Sequence, residues 1–95
     1  MYIAEVTFWG QDKGGRFTPP QPGFRPQLKI GNIHTSCTVG VDDDSINKFD
    51  FDEKYVVNLD LQHQEHYGNV LGVGDLVQLF EGSKQIAEGI VTKVY

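Results

Sequence analysis

Cysteine is almost absent from this chain of 95 residues, which contains only Cys37. A lone cysteine excludes a disulfide within the chain and is typical of a reducing, cytoplasmic compartment. Long hydrophobic runs are also missing, and the opening MYIAEVTFWG has neither a basic start nor a continuous apolar stretch. We therefore expect neither a signal peptide nor a membrane span.

Basic residues are scarce as well, since eight Lys and Arg stand against thirteen Asp and Glu, a net charge of −5. Sequence-independent nucleic-acid binding depends on excess positive charge, so this balance argues against it. The charges are unevenly distributed, however. Half of the basic residues lie in residues 13–29, which contain no acid, and the acids concentrate in residues 42–53. We expect a polarised molecule with a local basic patch.

Catalytic motifs are missing too. The chain has no G-x-x-x-x-G-K-[ST] phosphate loop, no G-x-S-x-G nucleophile turn and no Cys–His pair with an orienting partner. The Gly72-x-Gly74 spacing is too short for a phosphate loop. We therefore predict a non-catalytic domain that binds no nucleotide and needs no cofactor.

What the chain does contain is the period-two alternation of half-buried strands. Residues 33–41 and 54–62 show it most clearly, and the first of these segments places Cys37 on the inward face. In the last segment, Ile86 and Ala87 are assigned to opposite faces. We predict six strands and no helix, with strands near residues 2–9, 25–31, 33–41, 54–62, 75–81 and 85–95.

These strands belong to one domain, residues 1–95, because a chain of this length supports a single modest core. A sheet closed on itself is the efficient all-β way to bury such a core. The turn at residues 81–84 is predicted to be a hairpin connection. Three longer loops, at residues 10–24, 42–53 and 63–74, are the expected places for binding.

Two sets of residues raise the question of a metal site. His63 and His66 form an H-x-x-H pair, but zinc needs three or four ligands of fixed geometry, and a loop does not fix this spacing. The aspartates of residues 42–53 lack the glycine and the bidentate glutamate of a calcium loop. We predict surface histidines and a solvated acidic loop, and no metal.

The most distinctive segment is GGRFTPPQPGFRPQ, residues 14–27. Its four prolines exclude a central strand, because each removes a backbone donor. The segment resembles, without a gap, the start of the third, C-terminal β-barrel domain of the elongation factor Tu family, whose pattern is roughly GGRHTPxxxGYRPQF. Residues 81–94, EGSKQIAEGIVTKV, are similar to that family's EGGRTVGAGVVxKV, whereas the middle of the chain departs from the family.

The resemblance implies a small closed antiparallel six-stranded barrel with Greek-key-like connections. In that family the third domain helps to hold the T stem of aminoacyl-tRNA and contacts the exchange factor and the GTPase domain. Arg16 stands at a phosphate-contacting Arg and Gln27 at a tRNA-contacting Gln. Ser36 replaces a Thr but keeps its hydroxyl, and Phe17 replaces a His. Glu81 and Gly82 match the family's Glu-Gly pair, which contacts the T stem.

Two functions follow as hypotheses, beside the third possibility of a purely structural part of a larger assembly. The first is a protein-interaction barrel whose partner is a protein such as a translation factor, favoured by the acidic net charge and the divergent middle of the chain. The alternative is an RNA-binding module that contacts tRNA through Arg16, Arg25 and Gln27, with Ser36, Glu81 and Gly82 beside them. Phe17 and Phe24 either stack on bases or anchor the loop.

Overall fold

The computed structural model describes residues 1–62 and 71–95. The described residues contain no α-helix, and their strand bounds differ from the predicted ones by at most two residues. One short 3₁₀ helix, at Gln11–Lys13, follows the first strand. The six strands are β1 (Tyr2–Phe8), β2 (Gln27–Ile30), β3 (Ile33–Gly40), β4 (Lys54–Leu61), β5 (Leu76–Glu81) and β6 (Lys84–Val94).

The strands close into a barrel in the order β1-β4-β3-β2-β5-β6, and β6 pairs with β1 to complete the ring. Every neighbouring pair is antiparallel. Strands β2, β3 and β4 are consecutive neighbours, and β1 lies beside β4, which is a Greek-key order. The predicted closed six-stranded all-β barrel is therefore confirmed. Beside the β1–β6 pair, the Tyr95 N–H donates a hydrogen bond to the Met1 carbonyl at 3.0 Å.

The core consists of the side chains that point inward at alternate positions along each strand. Cys37 is buried, as the period-two pattern predicts. Leu28 on β2 and Leu79 on β5 are paired neighbours, and both side chains point into the barrel. The hairpin at residues 81–84 is also confirmed, since Glu81 pairs with Lys84. The largest fully buried side chains are those of Tyr2, Phe8, Phe49, Leu28, Leu59, Leu79 and Ile86.

The acidic segment, residues 42–53, supplies one of these core side chains. Its three consecutive aspartates are exposed, in line with the predicted solvated loop, but Phe49 is completely buried. The Phe49 ring stacks on Phe8 with centroids 4.7 Å apart, and Phe24 packs edge-on against Phe8. The Phe49 N–H donates to the Pro20 carbonyl at 2.8 Å. This loop is thus fastened to the end of the barrel by an aromatic anchor.

The assignment of Ile86 and Ala87 to opposite faces is wrong, because both side chains are buried. Leu79 pairs with Ala87, whereas Phe80 pairs with Gln85, so Ile86 is an extra residue on β6. Such a β-bulge breaks the alternation and lets two successive side chains point inward.

Because Cys37 is buried, the stability of the fold is expected to depend on pH in a way that can be measured. Loss of solvation raises the pKa of the thiol from 9.0 to about 12, and the nearby Asp60 carboxylate adds to the rise. A raised pKa favours the neutral thiol in the folded state. The stability contributed by the buried thiol is therefore intact below pH 9.0 and is lost as pH rises towards about 12.

We expect the stability difference between the wild type and Cys37→Ala to shrink by about 1.4 kcal/mol per pH unit above the unfolded-state pKa. Urea unfolding of both proteins at about pH 8 and about pH 11 measures this difference. All other titrating groups are the same in the two proteins, so their contributions cancel in the difference. A difference that stays constant over this range contradicts the assignment.

Candidate functional site

The glycine pair that opens the distinctive segment is required by the backbone. Gly14 has a φ of +78°, in the left-handed region that favours glycine. A Cβ on Gly15 would lie 2.0 Å from the Trp9 carbonyl oxygen, so only glycine fits there. The Arg16 N–H donates to the same carbonyl at 3.0 Å. These glycines fold the loop back onto the end of β1 and thereby fix the position of Arg16.

The Arg16 side chain fastens this loop to the β5–β6 hairpin. Its Nη1 lies 2.5 Å from Glu81 Oε2, and its Nε donates to the Thr18 carbonyl at 3.0 Å. The guanidinium carbon lies 5.6 Å from the centre of the Phe24 ring. Two of the five guanidinium N–H donors are thus used within the protein. The predicted phosphate contact of Arg16 stays a prediction, and the geometry gives this residue an architectural role.

We expect the Arg16–Glu81 pair to stabilise the fold by about 1 kcal/mol, at the upper end for partly exposed pairs. The two side chains are 23% and 39% exposed. A double-mutant cycle with Arg16→Ala and Glu81→Gln, followed by urea unfolding, measures the coupling. The matched control is Lys13 with Asp52, 2.8 Å apart but 51% and 50% exposed, where we expect no measurable coupling. Equal coupling in the two cycles would contradict the stabilising role of the Arg16–Glu81 pair.

The other predicted site residues lie near Arg16 on one side of the barrel. Gln27 pairs with Ser36 on β3 and with Phe80 on β5. Glu81 follows Phe80, and Gly82 forms the adjacent turn with a φ of +62°. We define the β2 face as the outward side chains of Arg25, Gln27, Lys29, His34, Ser36 and Phe80.

His34 and Phe80 were not among the predicted binding residues, and Lys29 was predicted only as part of the basic patch in residues 13–29. His34 pairs with Lys29, and its ring stacks on Phe80 with centroids 4.6 Å apart. Its Nδ1 lies 3.3 Å from Gln27 Oε1. Alternation from Arg25 through Gln27 to Lys29 is the sequence signal that places Lys29 outward. The stack on Phe80 depends on pairing between distant strands and has no local signal.

The β2 face can attract anions. Arg25 and Lys29 are exposed, and neither makes an ion pair with another residue in 1–62 or 71–95. The nearby Glu81 carboxylate is engaged by Arg16. Exposed cations beside a stacked pair of rings form the combination that contacts phosphates and unstacked bases.

A second surface lies on the opposite side, because β1 and β2 are separated by two strands in either direction around the ring. Strand register arranges its outward side chains in two rows, and we call the two rows together the β1 face. One row is Val56, Glu5, Ile90 and Leu76; the other is Lys54, Thr7, Glu88 and Gln78.

The first row of the β1 face exposes three aliphatic side chains. Val56 is 60% exposed, Leu76 54% and Ile90 52%. Between the rows lies a depression of about 260 Å³, lined by members of both rows and by Gly89. A Cβ on Gly89 would lie 2.0 Å from the Glu5 carbonyl oxygen, so β1 and β6 can meet here only across a glycine. Gly89 pairs with the buried Val6 and Val77, so its backbone, and not a missing outward side chain, lines the depression.

Metal ligands are not gathered in the part of the chain that the structure describes. No group of three or more His, Cys, Asp or Glu side chains there could hold an ion. Asp43 instead accepts hydrogen bonds from the Ser45 hydroxyl and N–H at 2.7 and 2.9 Å, which hold the pKa of its carboxyl below the usual range. His63 and His66 lie outside the described residues.

In residues 1–62 and 71–95, no helix has the length and apolar character needed to cross a membrane. Comparison of the chain with protein-family models and with curated proteins finds no match. The resemblance to the elongation factor Tu domain therefore rests on the segments at residues 14–27 and 81–94 and stays a prediction.

Proposed function

We propose that this protein is a non-catalytic protein-interaction barrel that contacts its partner through the β1 face. The observation that carries the proposal is the row of exposed Val56, Ile90 and Leu76 beside a surface depression. Single exposed aliphatic residues are ordinary, but three of them in one row, with Ile90 and Leu76 directly paired, are typical of interaction sites.

The geometry favours a protein over a small molecule. Pockets for small ligands measure about 300–1,000 Å³ and enclose most of the ligand. The depression of the β1 face, about 260 Å³, is smaller and opens onto the surface. Its size suits one or two side chains of a partner. The described strands form a closed ring, so the contact is expected to be made by side chains rather than by addition of a strand.

The resemblance in residues 14–27 and 81–94 supports a partner from the translation apparatus. A barrel of that family normally packs against other protein domains, and a barrel of similar type can use its outer surface in the same way. The net charge of −5 further favours a protein partner over RNA.

Affinity capture with one disruptive variant and one matched variant tests the proposal. Ile90→Lys places a charge in the β1 face, whereas Ile33→Lys changes a 46% exposed isoleucine at the start of β3. We expect one protein to be retained from a lysate by the wild type and by Ile33→Lys, at about 0.15 M and about 1 M salt. It should be lost with Ile90→Lys, and circular dichroism checks that both variants are folded. Retention by folded Ile90→Lys would contradict the proposal.

A second function, tRNA binding, is favoured by the β2 face with its exposed Arg25 and Lys29 and the His34–Phe80 stack. Filter binding of tRNA over a range of salt concentrations tests it. Arg25→Ala with Lys29→Ala should weaken binding. It should also reduce the slope of the logarithm of the binding constant against the logarithm of salt concentration by about 1 for each phosphate contact removed. The control, Lys48→Ala with Lys93→Ala, removes the same charge at exposed positions away from this face. Equal effects of the two double variants would leave only non-specific attraction.

A further inference from the structure

We infer that the β1 face takes a partner segment in which a lysine or arginine is flanked by aliphatic side chains. This inference rests on the proposed protein-binding function and specifies the chemistry of the partner. Strand register supplies the first step, because it places Glu5 directly between Val56 and Ile90. The apolar row is therefore interrupted at its centre by a carboxylate.

A second carboxylate stands close by. Glu88 pairs with Thr7, two positions from Glu5 on the same face of β1, and such diagonal neighbours have Cα atoms about 7–8 Å apart. Both side chains are exposed, and neither carboxylate makes a hydrogen bond or ion pair with another residue in 1–62 or 71–95. Both carboxylate-bearing residues line the depression, together with Gly89.

The charge in this depression suits a cation. Its lining contains the carboxylates of Glu5 and Glu88 and the ammonium of Lys54, so the formal charge is −2 + 1 = −1. Lys54 is on β4, on the far side of Thr7 from Glu88. A long basic side chain can lay its methylene stem along Ile90 and bring its charged end between the two carboxylates. Aliphatic neighbours in the same segment would cover Val56 and Leu76.

The same charges disfavour the other occupants of this surface. An acidic segment or a nucleic acid would bring negative charge against Glu5 and Glu88. In a two-fold pair of identical chains, the same patch meets itself, so each pair of carboxylates would face a copy of itself. Lys54 lines the depression and Lys13 also feels the charge of Glu88, but neither stands between the two carboxylates of one patch and those of its copy.

Synthetic peptides test the inference directly. The probes are three otherwise identical peptides whose central residue, flanked by leucine and isoleucine, is arginine, glutamine or glutamate. They are titrated into the nitrogen-15-labelled full chain while amide shifts are followed by NMR. We expect the arginine peptide to shift the amides of Glu5, Gly89 and Ile90. The glutamine peptide should bind about five-fold more weakly, and the glutamate peptide should bind more weakly still.

Two matched variants separate a specific cation site from net charge. Glu5→Gln with Glu88→Gln should bring the arginine and glutamine peptides to similar affinity. Asp12→Asn with Asp44→Asn changes the net charge equally at exposed positions elsewhere and should leave the five-fold preference in place. Loss of the preference in both double variants would overturn the inference.

Two further outcomes would also overturn it. Equal binding of all three peptides at the β1 face would leave the protein-binding function standing but remove the cation. Shifts of the same amides on raising the protein concentration alone would make a second copy the occupant. If no peptide shifts these amides, the inference fails, and the Ile90→Lys capture experiment decides separately whether the protein-binding function stands.

Discussion

Replacing Gly89 with alanine is expected to destabilise the protein by about 4 kcal/mol or more, which would leave a domain of ordinary stability largely unfolded. The added Cβ would lie 2.0 Å from the Glu5 carbonyl oxygen and 2.8 Å from the Val6 Cα. Both atoms belong to the backbone of β1, so no side chain can turn away to make room. Strands β1 and β6 would have to separate, and their pairing closes the barrel.

Gly40 provides the matched control for this change. It also lies in a strand, but its added Cβ would meet no atom within 4 Å, and its φ is not in the left-handed region. Gly40→Ala should be neutral or stabilise the fold by up to about 1 kcal/mol, because alanine restricts the unfolded chain. Urea unfolding followed by circular dichroism compares the two variants. A Gly89→Ala protein about as stable as Gly40→Ala would show that β1 and β6 do not approach as described.

Phe49→Ala is expected to have the second largest effect, a loss of about 3–5 kcal/mol. The Phe49 ring is fully buried, stacks on Phe8 and meets the Tyr55 ring edge-on at 5.1 Å. Its removal would leave a cavity among rigid rings and release the acidic loop from the barrel. For a domain of about 100 residues, this loss corresponds to a fall in Tm of roughly 15–30 °C.

The control for Phe49→Ala is Phe17→Ala, the same substitution at a side chain that is 79% exposed. We expect a change within about 0.5 kcal/mol, since little buried surface is lost. Thermal unfolding of the two variants under identical conditions measures the contrast. Similar melting temperatures would show that Phe49 does not belong to the core.

The sequence predicted the barrel well where each strand keeps a strict alternation. Residues 33–41 show this, because the inward position of Cys37 follows from period two alone. Strict alternation breaks down in β6, where the bulge at Ile86 places the side chains of both Ile86 and Ala87 inside the barrel. A bulge is set by the register of two strands that meet in space, and a single strand's pattern does not contain that register.

Phe49 was missed for a different reason. Its neighbours are charged, so composition assigned the whole segment to solvent, and the two aromatic residues in it did not outweigh the charges. Burial of Phe49 is decided by Phe8 and Phe24, which lie far away in the chain. Two phenylalanines in an acidic loop, Phe49 and Phe51, were the available signal, and they indicate an anchor.

The candidate site, too, was predicted in part from the sequence and in part depends on contacts between distant residues. The resemblance brought Arg16 and Glu81 into one proposed RNA-binding group, and the structure does place them together, but as partners of each other. They are separated by 65 positions, so no local pattern reveals the contact. The β1 face was not foreseen at all, because its two rows combine residues from four strands.

The hydrogen bond between Tyr95 and Met1 has a practical consequence. Since β1 and β6 lie side by side and run in opposite directions, residues 1 and 95 emerge at the same point of the barrel. A short linker can join them, so the chain is suited to circular permutation with new ends opened at the Gly82 turn. The same arrangement suits insertion of the barrel into a surface loop of a host protein, which would carry both faces as one exchangeable module.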